Sequence, residues 1–384
     1  MKKAEALSEN RNPEPPFSTL NSEIRKIAFE LGLEWETAVQ TYAIRAFFSN
    51  ENLLIVAPTG SGKTEAAMLP IFHEILSDRR EGGIRVLYVT PLRALNRDML
   101  RRISQWAERL GISVQVRHGD TPQRERRSQS LRPPEILITT PETMQVLLIG
   151  SRLREGLKNV EWVVVDEIHQ LASDRRGAQL SIALERLQTL SKKRFKRIGL
   201  SATISNKKEI AQFLAGPMRA VGIVDQSSLE KVARYRTEMP EVAIEDFKLA
   251  GELYISPKLL SRLQRISDLI KAHQSTLLFV NSRTNAEYLG SKLTALGTKL
   301  GVHHGSLPRE ERERVEQEFK TGKIPGIVCT STLELGIDIG SVDLTIQYMS
   351  PRQVSSLIQR VGRSGHSLSR NSEGITIAVS PEDA

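Results

Sequence analysis

The stretch NLLIVAPTGSGKTEAAMLPIF, Asn52 to Phe72, decides the fold. An apolar run, Leu53 to Ala57, ends in a turn rich in glycine. An amphipathic helical pattern follows at once. Gly60 and Gly62 let backbone amides curl around a phosphate, because no Cβ blocks the approach. Lys63 can reach the outer phosphates of a nucleotide, and the Thr64 hydroxyl can bind Mg²⁺. Thr59 and Ser61 complete the loop. Ala57 stands where the general pattern has glycine, yet Gly60 and Gly62 still supply the tight turn.

The same alternation repeats outward from this stretch. RVLYVT, EILITT, WVVVDE and RIGLSAT read as buried strands, with helical patterns such as QLSIALERLQTL between them. Uninterrupted apolar runs alternating with helices predict a parallel sheet covered on both faces. The pattern lapses from about 219 to 255 and resumes with TLLFV, IPGIVCT, VDLTIQY and GITIAV. The sequence therefore predicts an α/β protein of two tandem domains. A flexible polar segment spans 1–16, a first domain 17–218, a linker 219–255 and a second domain 256–384. Such sheets bind ligands beyond the carboxyl ends of their strands.

Bulk properties agree. The 384 residues exceed one ordinary core, and no apolar run has the length of a membrane span. One cysteine, Cys329, excludes an intramolecular disulfide and any cysteine-based zinc site; it sits in the apolar run IVC, read as a buried strand. The cytoplasm fits best. A net charge of +9 suits an anionic partner. Aromatic residues make up 5%, too few for a base-stacking platform as the main mode of nucleic-acid binding. The basic run Lys192 to Arg197 reads as a solvated loop before a strand.

VVVDEIH, Val163 to His169, ends a strand in two carboxylates. Burying both without a cation is costly, and a phosphate loop supplies the reason for them. Asp166 can hold Mg²⁺, and Glu167 can take the proton of an attacking water. His169 has no second ligand at metal spacing, so it reads as a hydrogen-bonding group between domains. Thr90-Pro91, Thr140-Pro141 and Ser350-Pro351 each follow a strand and precede a helical pattern. Ser or Thr can cap those helices with Pro in their first turn, which gives three helix N-termini where anions can sit.

APTGSGKT, DEIH, SAT (Ser201 to Thr203) and QRVGRSGH, in that order, resemble a superfamily-2 nucleic-acid helicase. DEIHQLASDRRGAQLSIALERL and SPRQVSSLIQRVGRSGH narrow the resemblance to the large helicase-related (Lhr) proteins, with other DExH relatives as the second reading. The resemblance implies two RecA-like domains, ATP and Mg²⁺ as cofactors, and single-stranded or partly duplex DNA or RNA as partner. It implies a monomeric core without a membrane role. It assigns Gln40 to adenine recognition and Asp338 to the nucleotide. Ser201 and Thr203 couple the nucleotide to the nucleic-acid site. Pro91, Arg93, Thr140 and Pro141, with Asn281, Arg283, Gly305, Thr330 and Thr332 of the second domain, contact the strand. Gln359, Arg360 and Arg363 join Asp166 and Glu167 in catalysis.

Arg360 and Arg363 lie in IQRVGRSGH, which contains no acidic residue. As arginine fingers they supply charge to the γ-phosphate, an effect of about 10³–10⁵ in rate. A neighbouring carboxylate would cancel that charge, so the expectation is two arginines without an acidic partner. Lhr proteins normally continue into a winged-helix domain, so this chain is expected to be a helicase core alone. An ATP-switched binding or annealing module without strand separation is the alternative function.

Overall fold

The protein is described by a computed structural model covering residues 17–58, 60–80, 82–91, 93–172, 175–202, 204, 206–227, 233–334, 342–364 and 372–383. Segment 1–16, Thr59, Thr203 and Asp338, all named above, lie outside these residues. The chain divides into two compact units, 1–228 and 229–384.

The first unit holds a seven-stranded sheet. Its strands are β1 (Leu53–Val56), β2 (Val86–Val89), β3 (Val114–Arg117), β4 (Ile136–Thr139), β5 (Trp162–Val165), β6 (Lys196–Ser201) and β7 (Gly222–Asp225). The order is β3-β4-β2-β5-β6-β1-β7, with every pair parallel. Side chains alternate between two cores. Leu53, Ile55, Val86 and Tyr88 enter one, and Leu54, Val56, Leu87 and Val89 enter the other. That two-sided burial explains why the strands read as continuous apolar runs.

The second unit repeats the design with six parallel strands: β8 (Ala233–Glu238), β9 (Thr276–Phe279), β10 (Gly301–His303), β11 (Gly326–Cys329), β12 (Leu344–Tyr348) and β13 (Ser372–Ile377). Their order is β10-β11-β9-β12-β13-β8. Leu278, Val328 and Ile346 face one core; Leu277, Phe279, Ile327 and Cys329 face the other. Both units are RecA-like α/β folds.

Residues 219–255, expected as a linker, are built into both units. Strand β7 closes the first sheet beside β1, and β8 joins the second beside β13. Helix α11 (Asp246–Glu252) packs on α12 (Pro257–Ala272). The sequence pattern lapsed there because edge strands are half solvated: Arg234, Tyr235, Arg236 and Thr237 of β8 are all exposed.

Candidate functional site

In the first sheet, three neighbouring strands deliver the nucleotide-motif residues. The glycine loop follows β1, Ser201 ends β6, and Asp166 and Glu167 follow β5; the sheet order sets these strands side by side. Gly60 and Gly62 have φ of 75° and 86°. The positive φ favours glycine at 62, and a Cβ there would stand 2.6 Å from Gln40 Nε2 and displace that amide. Gln40 is buried in helix α2 (Ala38–Ser49), fixed by a reciprocal cap. The Thr37 amide donates to Gln40 Oε1 (2.9 Å), and the Gln40 amide donates to Thr37 Oγ1 (3.3 Å). The Thr37 hydroxyl donates to the Ser61 carbonyl (2.9 Å), tying this helix to the loop. T-x-x-Q was the signal for that cap in the sequence, and it went unread.

Lys63 is buried, and its Nζ donates to the Ala57 carbonyl (2.7 Å) and the Pro58 carbonyl (2.8 Å). Ser61 Oγ is buried and has no hydrogen-bond partner among the described residues. The Thr64 hydroxyl lies 3.9 Å from a soft acceptor, Met99 Sδ.

The two carboxylates are poorly compensated. Burial, then the Glu167 charge, push Asp166 up to about 6; Tyr88 and Lys63 pull the other way. Tyr88 donates its hydroxyl to Asp166 Oδ2 at 3.0 Å, and the Glu167 amide donates to Asp166 Oδ1 at 2.9 Å. Glu167 has φ of 46°, a left-handed conformation that costs a non-glycine residue energy. Its Oε2 is buried without a hydrogen-bond partner among the described residues. His169 Nε2 lies 3.6 Å away, too far for a hydrogen bond. Burial, helped by Lys63, lowers His169 to about 4, so the ring is neutral at pH 7 and the contact is not an ion pair. His169 Nδ1 shares a 3.0 Å hydrogen bond with Ser201 Oγ. That bond lies within the first unit, whereas the sequence reading expected His169 to act between domains.

At one of the three strand–Thr/Ser-Pro sites the threonine caps the helix that follows. Thr140 Oγ1 accepts from the Thr143 amide (3.4 Å) at the start of helix α6 (Pro141–Ile149), with Pro141 in the first turn. Pro91 precedes helix α4 (Arg93–Ala107), which begins with Arg93. Arg176 bridges these two places. It donates to the Pro91 carbonyl and, at 2.5 Å, to Glu142 Oε1. Ser350 caps no helix, contrary to expectation. Left-handed Met349 and Arg352 (φ 64° and 63°) break the chain there, and Ser350 Oγ accepts from the Arg352 amide at 3.2 Å. The next helix, α15 (Val354–Val361), begins three residues after Pro351 and has no side-chain cap.

In the second sheet the expected strand contacts gather at one edge. Asn281 and Arg283 follow β9, Gly305 follows β10, and Thr330 and Thr332 follow β11, three adjacent strands. Arg283 donates to Ser306 Oγ (2.6 Å), and Thr332 Oγ1 pairs with His303 Nδ1 (2.9 Å). His303 Nε2 in turn meets Glu316 Oε1 at 2.8 Å.

The arginines carry the main correction. The expectation of two arginines without an acidic partner is overturned for Arg360. Arg360 Nε and Nη2 both donate to Glu334 Oε2, at 3.0 and 2.9 Å, in a pair whose side chains are 7% and 8% exposed. Its Nη1 donates to Gln347 Oε1 (2.7 Å) and lies 3.5 Å from Asn281 Oδ1. Arg363 Nε and Nη2 donate to the Glu334 main-chain carbonyl, at 3.0 and 2.9 Å. Glu334 lies 26 residues before Arg360, so a reading of the local stretch could not find it. Gln359 sits in α15 beside Arg360.

The description "DEAD/DEAH box helicase" matches residues 37–211, and "Helicase conserved C-terminal domain" matches 260–367. "ATP-dependent helicase Lhr-Core" of Methanocaldococcus jannaschii is 38% identical over 400 residues, covering 100% of this chain and 46% of the relative. "ATP-dependent helicase Lhr-Core protein 2" of Thermococcus barophilus is 40% identical, covering 90% of this chain and 42% of the relative. The solved structure of Mycobacterium smegmatis helicase Lhr bound to ssDNA and AMP-PNP is similar at a TM-score of 0.83 and 38% identity. That match covers 96% of this chain and 49% of the other. The chain thus spans about half the length of these relatives.

Proposed function

We propose, for a chain that belongs to the DEAD/DEAH box helicases of superfamily 2 and is most like their Lhr members, an ATP-driven motor that moves along or remodels nucleic acid. One observation carries it: a buried carboxylate pair beside a phosphate loop, with Glu167 Oε2 left without a hydrogen bond. An unpartnered buried acceptor is costly, and a bound water or cation would satisfy it.

Gly60, Ser61, Gly62 and Lys63, with Thr59, hold the phosphates. Gln40 reads the adenine, and Asp338 holds the nucleotide from the second domain. The Thr64 hydroxyl and the Asp166 carboxylate form an all-oxygen donor set that suits Mg²⁺. Bound there, Mg²⁺ would offset charge on the β- and γ-phosphates. Glu167 accepts the proton of the attacking water. Arg363 supplies positive charge to the γ-phosphate, with Gln359 and Arg360 as its neighbours. His169 and Ser201, with Thr203, pass the state of the nucleotide to the strand-binding loops.

Pro91, Arg93, Thr140, Pro141, Asn281, Arg283, Gly305, Thr330 and Thr332 hold the nucleic-acid backbone. Contacts of this kind read phosphates rather than bases, so affinity falls with salt and is nearly blind to sequence. No helix among the described residues is long and apolar enough to cross a membrane. A single cysteine, free and buried, suits the reducing cytoplasm, where we place a monomeric core. The test is strand displacement on tailed DNA and RNA:DNA duplexes with ATP and Mg²⁺. Wild type separates strands, whereas Lys63→Ala does not. Equal displacement by both proteins, or annealing alone by wild type, contradicts this function.

A further inference from the structure

Glu334 holds both arginines. Its carboxylate takes the Nε–Nη2 edge of Arg360, and its main-chain carbonyl takes the same edge of Arg363. It also ends the single 3₁₀ turn Ser331–Leu333 that carries Thr332. Thr332 is itself anchored through His303 to Glu316. A short path therefore runs from a hydroxyl assigned to the nucleic-acid strand to Arg363, assigned to the γ-phosphate, and to its neighbour Arg360.

Resting on that assignment of the site, we infer that Glu334 is a positioning residue that couples nucleic-acid binding at the loop after β11 to the orientation of Arg360 and Arg363. A shift of the Thr332 turn moves the Glu334 carboxylate and carbonyl together, and both arginines must follow. Arg360 has little freedom otherwise, since Gln347 Oε1 holds its remaining Nη1 edge at 2.7 Å. The side chain of Glu334 governs Arg360 alone. Arg363 is held by main chain, and a substitution at 334 leaves that acceptor in place.

The test is steady-state ATP hydrolysis, with and without single-stranded DNA, by wild type, Glu334→Gln, Glu334→Asp, Arg360→Gln and the double variant Glu334→Gln/Arg360→Gln. Glu334→Gln should lower kcat in the presence of DNA by about tenfold or more with KM for ATP within about threefold. The ratio of DNA-stimulated to basal turnover should shrink, and Glu334→Asp should restore part of it. The double variant should be no slower than Arg360→Gln alone, because residues acting as one unit are not additive. Removing both buried partners also keeps the fold testable if Glu334→Gln alone unfolds. Wild-type stimulation in Glu334→Gln, or costs that add in the double variant, would overturn the coupling role. Wild type that does not hydrolyse ATP would instead sink the function proposed above.

Discussion

The two units hold their charged residues in opposite ways. In the first, Asp166 is raised to about 6, Glu167 has a buried oxygen without a hydrogen bond, and the Glu167 backbone is left-handed. In the second, Arg360 is held by Glu334 and Gln347, and Arg363 is gripped by a carbonyl. Both arrangements cost desolvation, but only the second is repaid within its own fold. The lesson is a division of labour. The first unit keeps groups short of partners where the proposed function seats a nucleotide and its cation. The second unit fixes its cations in advance, which on the same proposal leaves little reorganisation when charge develops on phosphate.

Arg363→Ala probes the satisfied side most severely. It removes a cation from the site and leaves the P-loop intact. ATP turnover should fall by about 10³-fold or more, with nucleotide affinity changed only a few-fold. Equilibrium binding of a fluorescent ATP analogue beside single-turnover rates checks the split. Comparable losses in affinity and rate would blur the contrast between the units.

Arg360→Met should act first on stability, because it strands a buried Glu334. Breaking such a pair costs about 3–5 kcal/mol, whereas replacing both members with apolar groups is close to neutral. Urea unfolding of Arg360→Met and of Arg360→Met/Glu334→Leu measures the difference. If the single variant is as stable as the double, the pair is not the self-satisfied cluster its geometry indicates.

Asp166→Asn tests the unsatisfied side, and its sign depends on pH. The folded-state value of about 6 exceeds the ordinary 3.8, so ionisation opposes folding. That penalty grows as pH rises from 4 to 6 and is complete above it. Asp166→Asn should therefore stabilise the nucleotide-free protein on the order of 2 kcal/mol at pH 8 and hardly at all at pH 4. Urea midpoints at the two pH values decide it. Destabilisation at pH 8 would mean that the carboxylate is compensated after all.

The smallest effect lies away from both centres. Glu185 is held down to about 2, first by Arg219 and then by Arg197. Its stabilisation is present above its ordinary value of 4.5 and is lost as pH falls from there towards 2. Glu185 is half exposed, so Glu185→Gln should cost only about 1 kcal/mol at pH 7 and less at pH 3. Thermal melts at both pH values measure it.

Much of this molecule was legible as sequence. Nine strands appeared as apolar runs, and all nine lie inside their sheets. The four that went unread, β3, β7, β8 and β10, are the four sheet edges. Edge strands bury one flank only, so β3 reads as VQVR and β8 as ARYRTE, without an apolar run to betray them. The glycine loop follows β1, Asp166 and Glu167 follow β5 and Ser201 ends β6, an order legible in the sequence because that spacing is local. Three partners were missed because the fold brings them from a distance: Tyr88 to Asp166 across 78 residues, Arg176 to Pro91 across 85, and Glu334 to Arg360 across 26. The expectation that Arg360 has no acidic partner failed for that reason. Spacing inside a motif reports what is adjacent in the chain and says nothing of what the neighbouring strand delivers.

The most direct test of the contrast between the units is ATP hydrolysis by wild type and Glu167→Gln, with Mg²⁺ and single-stranded DNA, beside nucleotide binding by both. Glu167 is taken as the base because, among the described residues, it combines a left-handed backbone with a buried carboxylate oxygen that has no hydrogen-bond partner. Wild type should turn over faster with DNA than without. Glu167→Gln should bind nucleotide as well as wild type and hydrolyse it slower by about 10²-fold or more, since it cannot accept the proton of the attacking water. Hydrolysis by Glu167→Gln at the wild-type rate would contradict the assignment and leave the unpartnered oxygen without a chemical purpose.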